Sequence, residues 1–545
     1  MEDTRVKRPG PLAPFRHTTY RSIWLANLAS SFGGLIQTVG AAWLMTAIAQ
    51  SVDMVALVQA ATTLPLMLFS VVGGAVADTF NRRRVMLGAQ IFMLCVSVAL
   101  AITTYLGLIN PWLLLAFTFL IGCGTALNNP SWQASVGDIV PRADLPGAVA
   151  LNSIGFNLSR SLGPAIGGLI VGAAGATAAF GLNALSYLPL IVILLLWKAP
   201  SAPSTLPRET MGSAMMGGLR YVAMSPNIGK VYLRGFAFGI AAIVVVALLP
   251  VVAQSLPGGG PELYGLLLGA FGIGAIGGAL MTTRLQAMLP SETIIRIAFC
   301  TYALAAVIVG ASPNAWLTAL GCAIAGSCWV LAQSLLNVTV QLSSPRWVVG
   351  RTLSLYQTSI FGGMAAGSWL WGVVADGQGV AVAMGGAALT LLAGAAIGLW
   401  LALPQRSAAN LDPFNRWTAP HLELDVQPRS GPIVISVEYR ILPADVAAFL
   451  DVMADRKRVR IRNGARHWVL KRDLEHPEMW TESYMCPTWT EYLRFNQRTT
   501  QADAEITTRI RALHRGEGMP VVRRWIERPP DWFASVERKD TIDPP

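Results

Sequence analysis

The sequence predicts an all-α membrane protein of twelve spanning helices, arranged as two six-helix bundles and followed by a small cytosolic α+β domain. Three observations support this fold class. Hydrophobic residues make up 53% of the 545 residues and charged residues only 13%, about half the charged share of a typical soluble protein. Long apolar runs recur between residues 21 and 402, and the two halves of that region resemble each other. After residue 402 the composition becomes that of a soluble domain.

Twelve apolar runs are long enough to cross a bilayer, which takes about 20 helical residues. An even number of spans places both ends of the membrane region on one side. The first run has no small-residue cleavage site beside it, so we expect a retained span and not a signal peptide. In chain order the runs cover residues 21–48, 53–78, 85–108, 112–136, 145–172, 175–197, 229–255, 261–287, 291–311, 315–341, 350–375 and 378–402.

Charge placement predicts which side faces the cytoplasm. Residues 1–402 contain 19 Lys and Arg against 10 Asp and Glu, and the basic residues cluster in the N-terminal tail, at residues 82–84 and in the other even-numbered connections. The odd-numbered connections carry acids such as Asp53, Glu262 and Asp376. Under the positive-inside rule the termini and the even-numbered connections are cytoplasmic. The net charge of +11 is therefore a topology signal, and we expect no nucleic-acid partner.

The two halves match at a constant offset of 204 residues. Pairs at this offset include Gly73 with Gly277, Pro141 with Pro345 and Gly163 with Gly367, whereas Asp78 falls on Thr282. Two parallel repeats of six helices joined by a cytoplasmic loop are an arrangement known from secondary transporters. We therefore expect a tail (1–20), a first bundle (21–197), a central loop (198–228) and a second bundle (229–402).

Residues 403–545 hold 22 basic and 20 acidic residues and no run that could span a membrane. We expect a linker (403–432) and a cytosolic domain (433–545). Alternation and helical periodicity predict the order β-α-β-β-α-β of a ferredoxin-like fold. Strands are expected at 433–439, 467–471, 479–485 and 521–526, and helices at 443–456, 489–496 and 499–514.

A charged turn between the second and third spans carries the most specific motif. Gly74, Asp78, Arg82 and Arg83 match the signature loop of the major facilitator superfamily, which this chain resembles. Asn81 stands where that family usually has glycine, and asparagine also tolerates a left-handed turn. The resemblance implies that Asp78 contacts the start of the eleventh helix, as a conformational latch that breaks when the halves rock. Alternatively, the arginines only set the orientation.

The fifth span contains Gly163, Pro164, Gly167 and Gly168, where glycines permit close helix contact and the proline bends the span. This segment resembles the fifth-helix signature of exporters in the superfamily, although only its core is present. The alternative is generic packing of small residues.

Arg160, close to Asn157, is the one basic residue well inside a predicted span, which makes it a candidate for binding an anionic substrate such as a catecholate or carboxylate. The alternatives are a carboxylate partner such as Asp138 and an arginine whose charged end reaches the membrane interface. Asp138 is the candidate for proton coupling, with a structural role in its loop as the alternative. Other polar residues in the spans either line a cavity or bond helix to helix, and the substrate-binding candidates among them are Gln37, Asn128, Tyr187, Gln333, Asn337 and Gln357.

Several segments in residues 138–188, including Asp138 to Arg142 and Asn183 to Leu188, resemble the transmembrane secretion effector branch of the superfamily. That resemblance implies export of a siderophore-, drug- or metabolite-like small molecule across the cytoplasmic membrane, driven by proton antiport. The cytosolic domain (433–545) is similar to antibiotic-biosynthesis-monooxygenase-like domains, which usually dimerise. The six cysteines show no paired spacing, so we expect neither a metal nor another cofactor.

Two other functions remain open at this point. The C-terminal domain could be a membrane-tethered enzyme that modifies the exported compound. Alternatively, the chain could be a sensor that does not transport. We expect a transporter and not an enzyme.

Overall fold

The computed structural model describes residues 12–141, 144–197, 211–345, 347–403, 411, 414, 420–424 and 426–527. The surroundings of Gly74 and the side chains of Asp78 and Asn157 lie outside this description, as does most of the expected N-terminal tail and linker. The described residues form two compact units. The first comprises those within 1–215, 227–341 and 350–405, and the second those within 216–226, 342–349 and 406–545.

The first unit is a bundle of long helices. Their bounds are α1 (Thr18–Ile48), α2 (Val52–Thr79), α3 (Arg82–Tyr105), α4 (Pro111–Ile139), α5 (Leu145–Leu196), α7 (Pro226–Ser255), α8 (Pro261–Met288), α9 (Ser291–Ala311), α10 (Ala315–Leu342), α11 (Val349–Gln378) and α12 (Val380–Trp400). Ten helices of the described part are long and apolar enough to cross a membrane, and α11 lies where the eleventh span was predicted.

Helix α5 accounts for two of the predicted spans. Its 52 residues are interrupted at Gly175, which has φ 77° and ψ 173°, a left-handed backbone that favours glycine. The break falls where the sequence places the fifth connection. With the two arms of α5 and with α11, the bundle has the twelve crossing segments of the predicted fold class.

Two local expectations differ from the structure. The central loop contains a helix, α6 (Met211–Ala223), which the search for long apolar runs did not detect. Asn81, at the position of the family's usual glycine, does not adopt the left-handed turn that asparagine tolerates: its backbone is extended (φ −66°, ψ 112°) and its side-chain oxygen accepts a hydrogen bond from Arg84 N, so it caps the start of α3. Asparagine is favoured at this capping position because it satisfies a backbone donor at the helix start.

The C-terminal domain contains a four-stranded antiparallel sheet in the order β2-β3-β1-β4. Its elements are β1 (Ile433–Arg440), α13 (Val446–Asn463), β2 (Arg466–Arg472), β3 (Met479–Cys486), α14 (Trp489–Gln497), α15 (Gln501–Leu513) and β4 (Val521–Ile526). Strand β1 alternates buried and half-buried residues, so one face of the sheet is buried. The strands and helices lie close to the predicted ranges, and α13 continues about two turns further than expected.

A fully buried carboxylate, Glu482 on β3, organises the centre of this domain. Its Oε1 accepts hydrogen bonds from Arg460 Nε at 2.9 Å and Trp468 Nε1 at 3.0 Å, and its Oε2 accepts one from the Tyr439 hydroxyl at 2.9 Å. Arg456 Nε lies 3.7 Å from the same Oε2. Burial disfavours the carboxylate, but the charges of Arg460 and Arg456 outweigh it and lower the pKa of Glu482 to about 2.

We predict that Glu482→Gln destabilises the C-terminal domain by about 3–5 kcal/mol, because two buried guanidinium groups lose their anion. The free energy of unfolding can be followed by hydrogen exchange of β3 in the full chain. Because the pKa is lowered by folding, the stability from Glu482 is complete above its ordinary pKa of about 4.5 and is lost as the pH falls towards 2. Glu478→Gln is the control, since Glu478 pairs with Arg440 at the surface. Equal unfolding free energies in the two variants would contradict the prediction.

Candidate functional site

The two halves of the bundle meet closely where α5 packs on α8. A Cβ on Gly168 would lie 2.7 Å from Gly265 Cα, and a Cβ on Gly265 would lie 2.7 Å from Gly168 Cα. Both distances are shorter than real Cβ contacts, so only glycine fits at either position. We call the side at which α1 begins and α2 ends the basic side, and the opposite side the far side. The contact lies towards the far side, because α8 begins there.

Aromatic and acidic side chains reinforce this far-side contact. Trp43 of α1 stacks on Tyr264 of α8, with ring centroids 6.4 Å apart. Glu262, in the first turn of α8, lies against Gly172 of α5, where a Cβ would collide with its carboxylate. On the basic-side half of α8, by contrast, a Cβ on Gly277 would meet nothing within 4 Å. Helices α5 and α8 are therefore closed against each other on the far side.

The four residues of the fifth-helix motif have separate neighbours. Gly163 and Gly167 face α1, where added Cβ atoms would lie 3.0 Å from Leu35 and 3.1 Å from Ile36. Pro164 contributes its carbonyl oxygen beside Gly265, and Gly168 makes the contact across the halves. The motif thus packs α5 within its own half and against the other half.

Arg160 lies at this interface, one turn before Gly163 on α5. Its guanidinium carbon is 5.7 Å from the ring centroid of Phe271 on α8 and 5.6 Å from that of Trp329 on α10. A cation from the first half is thus held by two aromatic faces of the second half, an arrangement that partly offsets the cost of removing the charge from water. Gln333 accepts a hydrogen bond from Trp329 Nε1 at 2.9 Å and so orients that ring.

The polar candidates in the first half bond helix to helix. Gln37 Oε1 accepts hydrogen bonds from Ser97 and from Asn183, whose amide also lies 3.1 Å from the Tyr187 hydroxyl. These side chains are buried and join α1, α3 and the second arm of α5. Asn128 accepts a bond from Gln90 of α3 at 3.1 Å, between α4 and α3. None of the described hydrogen bonds of Gln37, Asn128 and Tyr187 involves Arg160.

The remaining second-half candidates lie on different helices, α10 and α11. Asn337 accepts a bond from Gln341 one turn further along α10, at 2.6 Å. Gln357 is exposed on α11. Neither residue has a described contact with the Arg160 cluster.

The charged turn is held within the first half. Arg82 Nη1 donates to Asp138 Oδ2 at 2.7 Å and to the carbonyl of Ala134 at 2.9 Å, which joins α3 to the end of α4. Arg83 donates to the carbonyls of Leu194 and Leu195 at the end of α5. The proposed latch arginines therefore fix three helix ends, and the coupling candidate Asp138 is part of the same cluster.

A second contact between the two halves is made by helices α2 and α11. The Ser70 and Thr358 hydroxyls lie 2.7 Å apart, and the Thr358 hydroxyl donates to Met67 O at 3.3 Å. At the far side Val52 N donates to Asp376 Oδ1 at 2.8 Å.

Within the bundle, sequence reasoning missed a buried ion pair. Arg234 of α7 donates to Glu292 Oε2 in the first turn of α9, and the same oxygen accepts a bond from Leu403 N at 3.0 Å, just after α12. Gly398 of α12 leaves room for both charged groups. Each residue lies near a span end, where charges are common, so their pairing carried no signal in the sequence.

Known proteins resemble this chain along most of its length. A family model described as transmembrane secretion effector matches residues 9–530. The enterobactin exporter of Salmonella typhimurium is 28% identical over 313 residues, which is 55% of this chain and 72% of the relative. That of Shigella boydii serotype 4 is 27% identical over 368 residues, 65% of this chain and 85% of the relative.

Solved transporter structures show the same fold. A bacterial homologue of the human lysosomal transporter Spinster, in an inward-facing conformation, has a TM-score of 0.55 at 14% identity, over 71% of this chain and 96% of that one. The POT family transporter PepTSo has a TM-score of 0.58 at 12% identity, over 71% of this chain and 98% of that one.

We predict that Gly168→Ala and Gly265→Ala each force α5 and α8 apart, because the added methyl meets backbone and not a movable side chain. Amide exchange over residues 261–272 should become about tenfold faster or more. Gly277→Ala on the same helix is the matched control and should leave the exchange unchanged. Unchanged exchange in the two interface variants would show that the contact is not tight.

Proposed function

The chain belongs to the transmembrane secretion effector family of the major facilitator superfamily, and we propose that it exports an anionic small molecule by alternating access with proton antiport. Family membership makes it a multi-pass membrane transporter of the efflux type. The curated relatives named above are enterobactin exporters, so enterobactin is the first cargo to test. We place the protein in the cytoplasmic membrane with both termini inside, as the positive-inside rule indicates.

The observation that supports an anionic cargo is the position of Arg160. Its guanidinium lies between the halves, over Phe271 and Trp329, and no carboxylate lies within 4 Å of it among the described residues. Ring faces compensate only part of a buried charge, about 0.5–2 kcal/mol each. An anion entering the interface would gain the charge-assisted hydrogen bonds that the rings cannot offer. The aromatic faces suit a planar anion such as a catecholate.

The transport cycle would separate the contacts that close the halves. Opening to the far side requires the Gly168–Gly265 contact and the Trp43–Tyr264 stack to part. The hydroxyl pair Ser70–Thr358 lies on the α2–α11 contact, towards the basic side. Asp78 follows Ser70 by about two turns of α2, in the direction of the first turn of α11. This placement supports the latch hypothesis, in which the acid binds the α11 N-terminus.

We propose that the proton binds a carboxylate on the basic side. Asp138 pairs with Arg82 in an exposed setting, with 41% of its side chain accessible. Glu292 is more buried, and its Oε1 has no hydrogen-bond partner among the described residues. Protonation of Glu292 would weaken its bond to Arg234 and loosen α7 from α9, so Glu292 joins Asp138 as a coupling candidate.

The C-terminal domain would also mediate self-association. The open face of its sheet exposes Val469, Val521 and Trp525, with Trp525 55% accessible. Trp525 pairs across from Val434 on β1, so these apolar side chains share one face. Exposed apolar faces of this kind mark interaction surfaces.

We predict that Arg160→Gln lowers the rate of enterobactin uptake into inverted vesicles at least tenfold, because the cargo loses a charge-assisted bond of about 1.5–3 kcal/mol. Arg160→Lys should retain part of the rate, since it keeps the charge without the planar fork. Wild-type uptake should stop when an ionophore collapses the pH gradient.

Arg284→Gln is the control for lost positive charge, because Arg284 is exposed on α8 away from Arg160. An unchanged rate in Arg160→Gln would refute the binding role. Uptake that survives the ionophore would refute proton antiport.

We predict that Asp78→Asn slows uptake while leaving expression and membrane insertion intact, because the neutral side chain loses its attraction to the α11 N-terminus. The same vesicle assay measures the rate, and the amount of protein in the membrane serves as the insertion control. Normal flux in Asp78→Asn would end the latch hypothesis.

A further inference from the structure

Two connecting segments of the chain pack on each other in the second unit. Tyr221, near the end of α6, meets Trp347, in the connection between α10 and α11, edge to face with ring centroids 5.8 Å apart. The Tyr221 hydroxyl donates a hydrogen bond to Ser343 O at 3.1 Å. These segments are more than 100 residues apart in sequence, so the contact brings together two distant parts of the membrane region.

The C-terminal domain provides one arginine for each of these rings. The Arg462 guanidinium, at the end of α13, lies 5.5 Å from the Tyr221 ring centroid. The Arg498 guanidinium, just after α14, lies 4.7 Å from the Trp347 ring centroid. Arginine stacks well on aromatic faces because its charge is spread over a plane.

Both arginines are held in position by the domain itself. Arg462 Nη2 donates to the two carboxylate oxygens of Asp503 at 2.6 and 2.8 Å. Asp503 is buried and completes the capping box of α15 with Thr500. Arg498 Nη1 donates to Asn463 O at 2.9 Å. Rigid arginines lose little conformational freedom on stacking, which strengthens each contact.

The burial of the side chains at this contact shows that it is closely packed and not a loose association. Tyr221 is 2% exposed and Val348, next to Trp347, is fully buried. Burial also raises the pKa of the Tyr221 hydroxyl. A tyrosine in a central connection has no reason to be enclosed unless another surface covers it.

We propose that the C-terminal domain is an intramolecular clamp whose surface, formed by Arg462 and Arg498, binds Tyr221 and Trp347 of the transporter's own connections. The clamp holds the segment before α7 to the segment before α11. Helices α7 and α11 begin at residues 226 and 349, within five residues of the clamped side chains. Movement of one helix start relative to the other therefore requires the clamp to open.

The clamp can be tested by trypsin cleavage of the full-length protein in lipid nanodiscs. Trypsin cuts after arginine, and Arg220 immediately precedes the clamped Tyr221. Trp347→Ala removes one ring from the other segment, and Arg498→Gln removes its partner in the domain. Both variants should raise the cleavage rate at Arg220 about tenfold, because cleavage follows the population of the opened state.

Arg458→Gln is the matched control, since Arg458 lies on α13 with 73% of its side chain exposed. Hydrogen exchange of β1 and β3 checks that the domain stays folded, and Arg498→Gln decides the test if Trp347→Ala does not fold. Cleavage at Arg220 that stays at the control rate in the folded variants overturns the clamp.

A second arm of the experiment measures the consequence for transport, and this arm rests on the proposed export function. Enterobactin uptake by Arg498→Gln should differ at least threefold from that by Arg458→Gln. Faster cleavage with equal uptake would show that the contact does not act on transport and would overturn that part of the proposal. Because the cleavage arm needs no cargo, an error in the cargo cannot be mistaken for failure of the clamp.

Discussion

The close approach of α5 and α8 at Gly168 and Gly265 determines how the two halves of the bundle can meet. Each position leaves space for the backbone of the other helix and for no side chain. Helices in a bilayer gain little from hydrophobic burial against each other, so their association depends on packing of this kind. The close contact continues along α5 as far as Arg160, whose carbonyl oxygen would lie 2.9 Å from a Cβ on Gly272 of α8, so the same helix holds Arg160 between the halves.

Charge placement explains most of the remaining architecture. Three arginines near span ends are each compensated by a specific group: Arg82 by Asp138, Arg83 by carbonyls at the end of α5, and Arg234 by Glu292. Arg160 differs, because its compensation is two aromatic rings from the opposite half. A group compensated by rings remains open to a better anionic partner, whereas one compensated by a carboxylate does not. This difference supports the proposal that Arg160 binds the cargo.

The sequence predicted the helices well because long apolar runs and a 204-residue repeat are strong signals. It also predicted the strands of the C-terminal domain, where alternation reflects one buried sheet face. The polar candidates were harder to interpret, since a glutamine or asparagine in a span has the same signature whether it binds a ligand or another helix. Gln37 and Asn128 proved to bond helix to helix, and the Arg234–Glu292 pair was missed because pairing depends on which helices become neighbours. The proposed clamp could not be predicted from the sequence for the same reason, because its aromatic rings and arginines come from three distant segments.

The repeat also indicates a use for the clamp proposed above. In the first half, the connection between α4 and α5 is held by acidic side chains, with Asp138 bound to Arg82 and Asp144 bound to His17. At the offset of 204 these acids correspond to Leu342 and Val348, which carry no charge. Asp78 likewise corresponds to Thr282, whose hydroxyl is satisfied by the carbonyl of Gly278 in its own helix. The α10–α11 connection thus lacks the acids that fix its counterpart. In the clamp proposed above, Trp347 of this connection is held instead by Arg498 of the C-terminal domain. We infer that the domain takes the place of the acids that hold the α4–α5 connection.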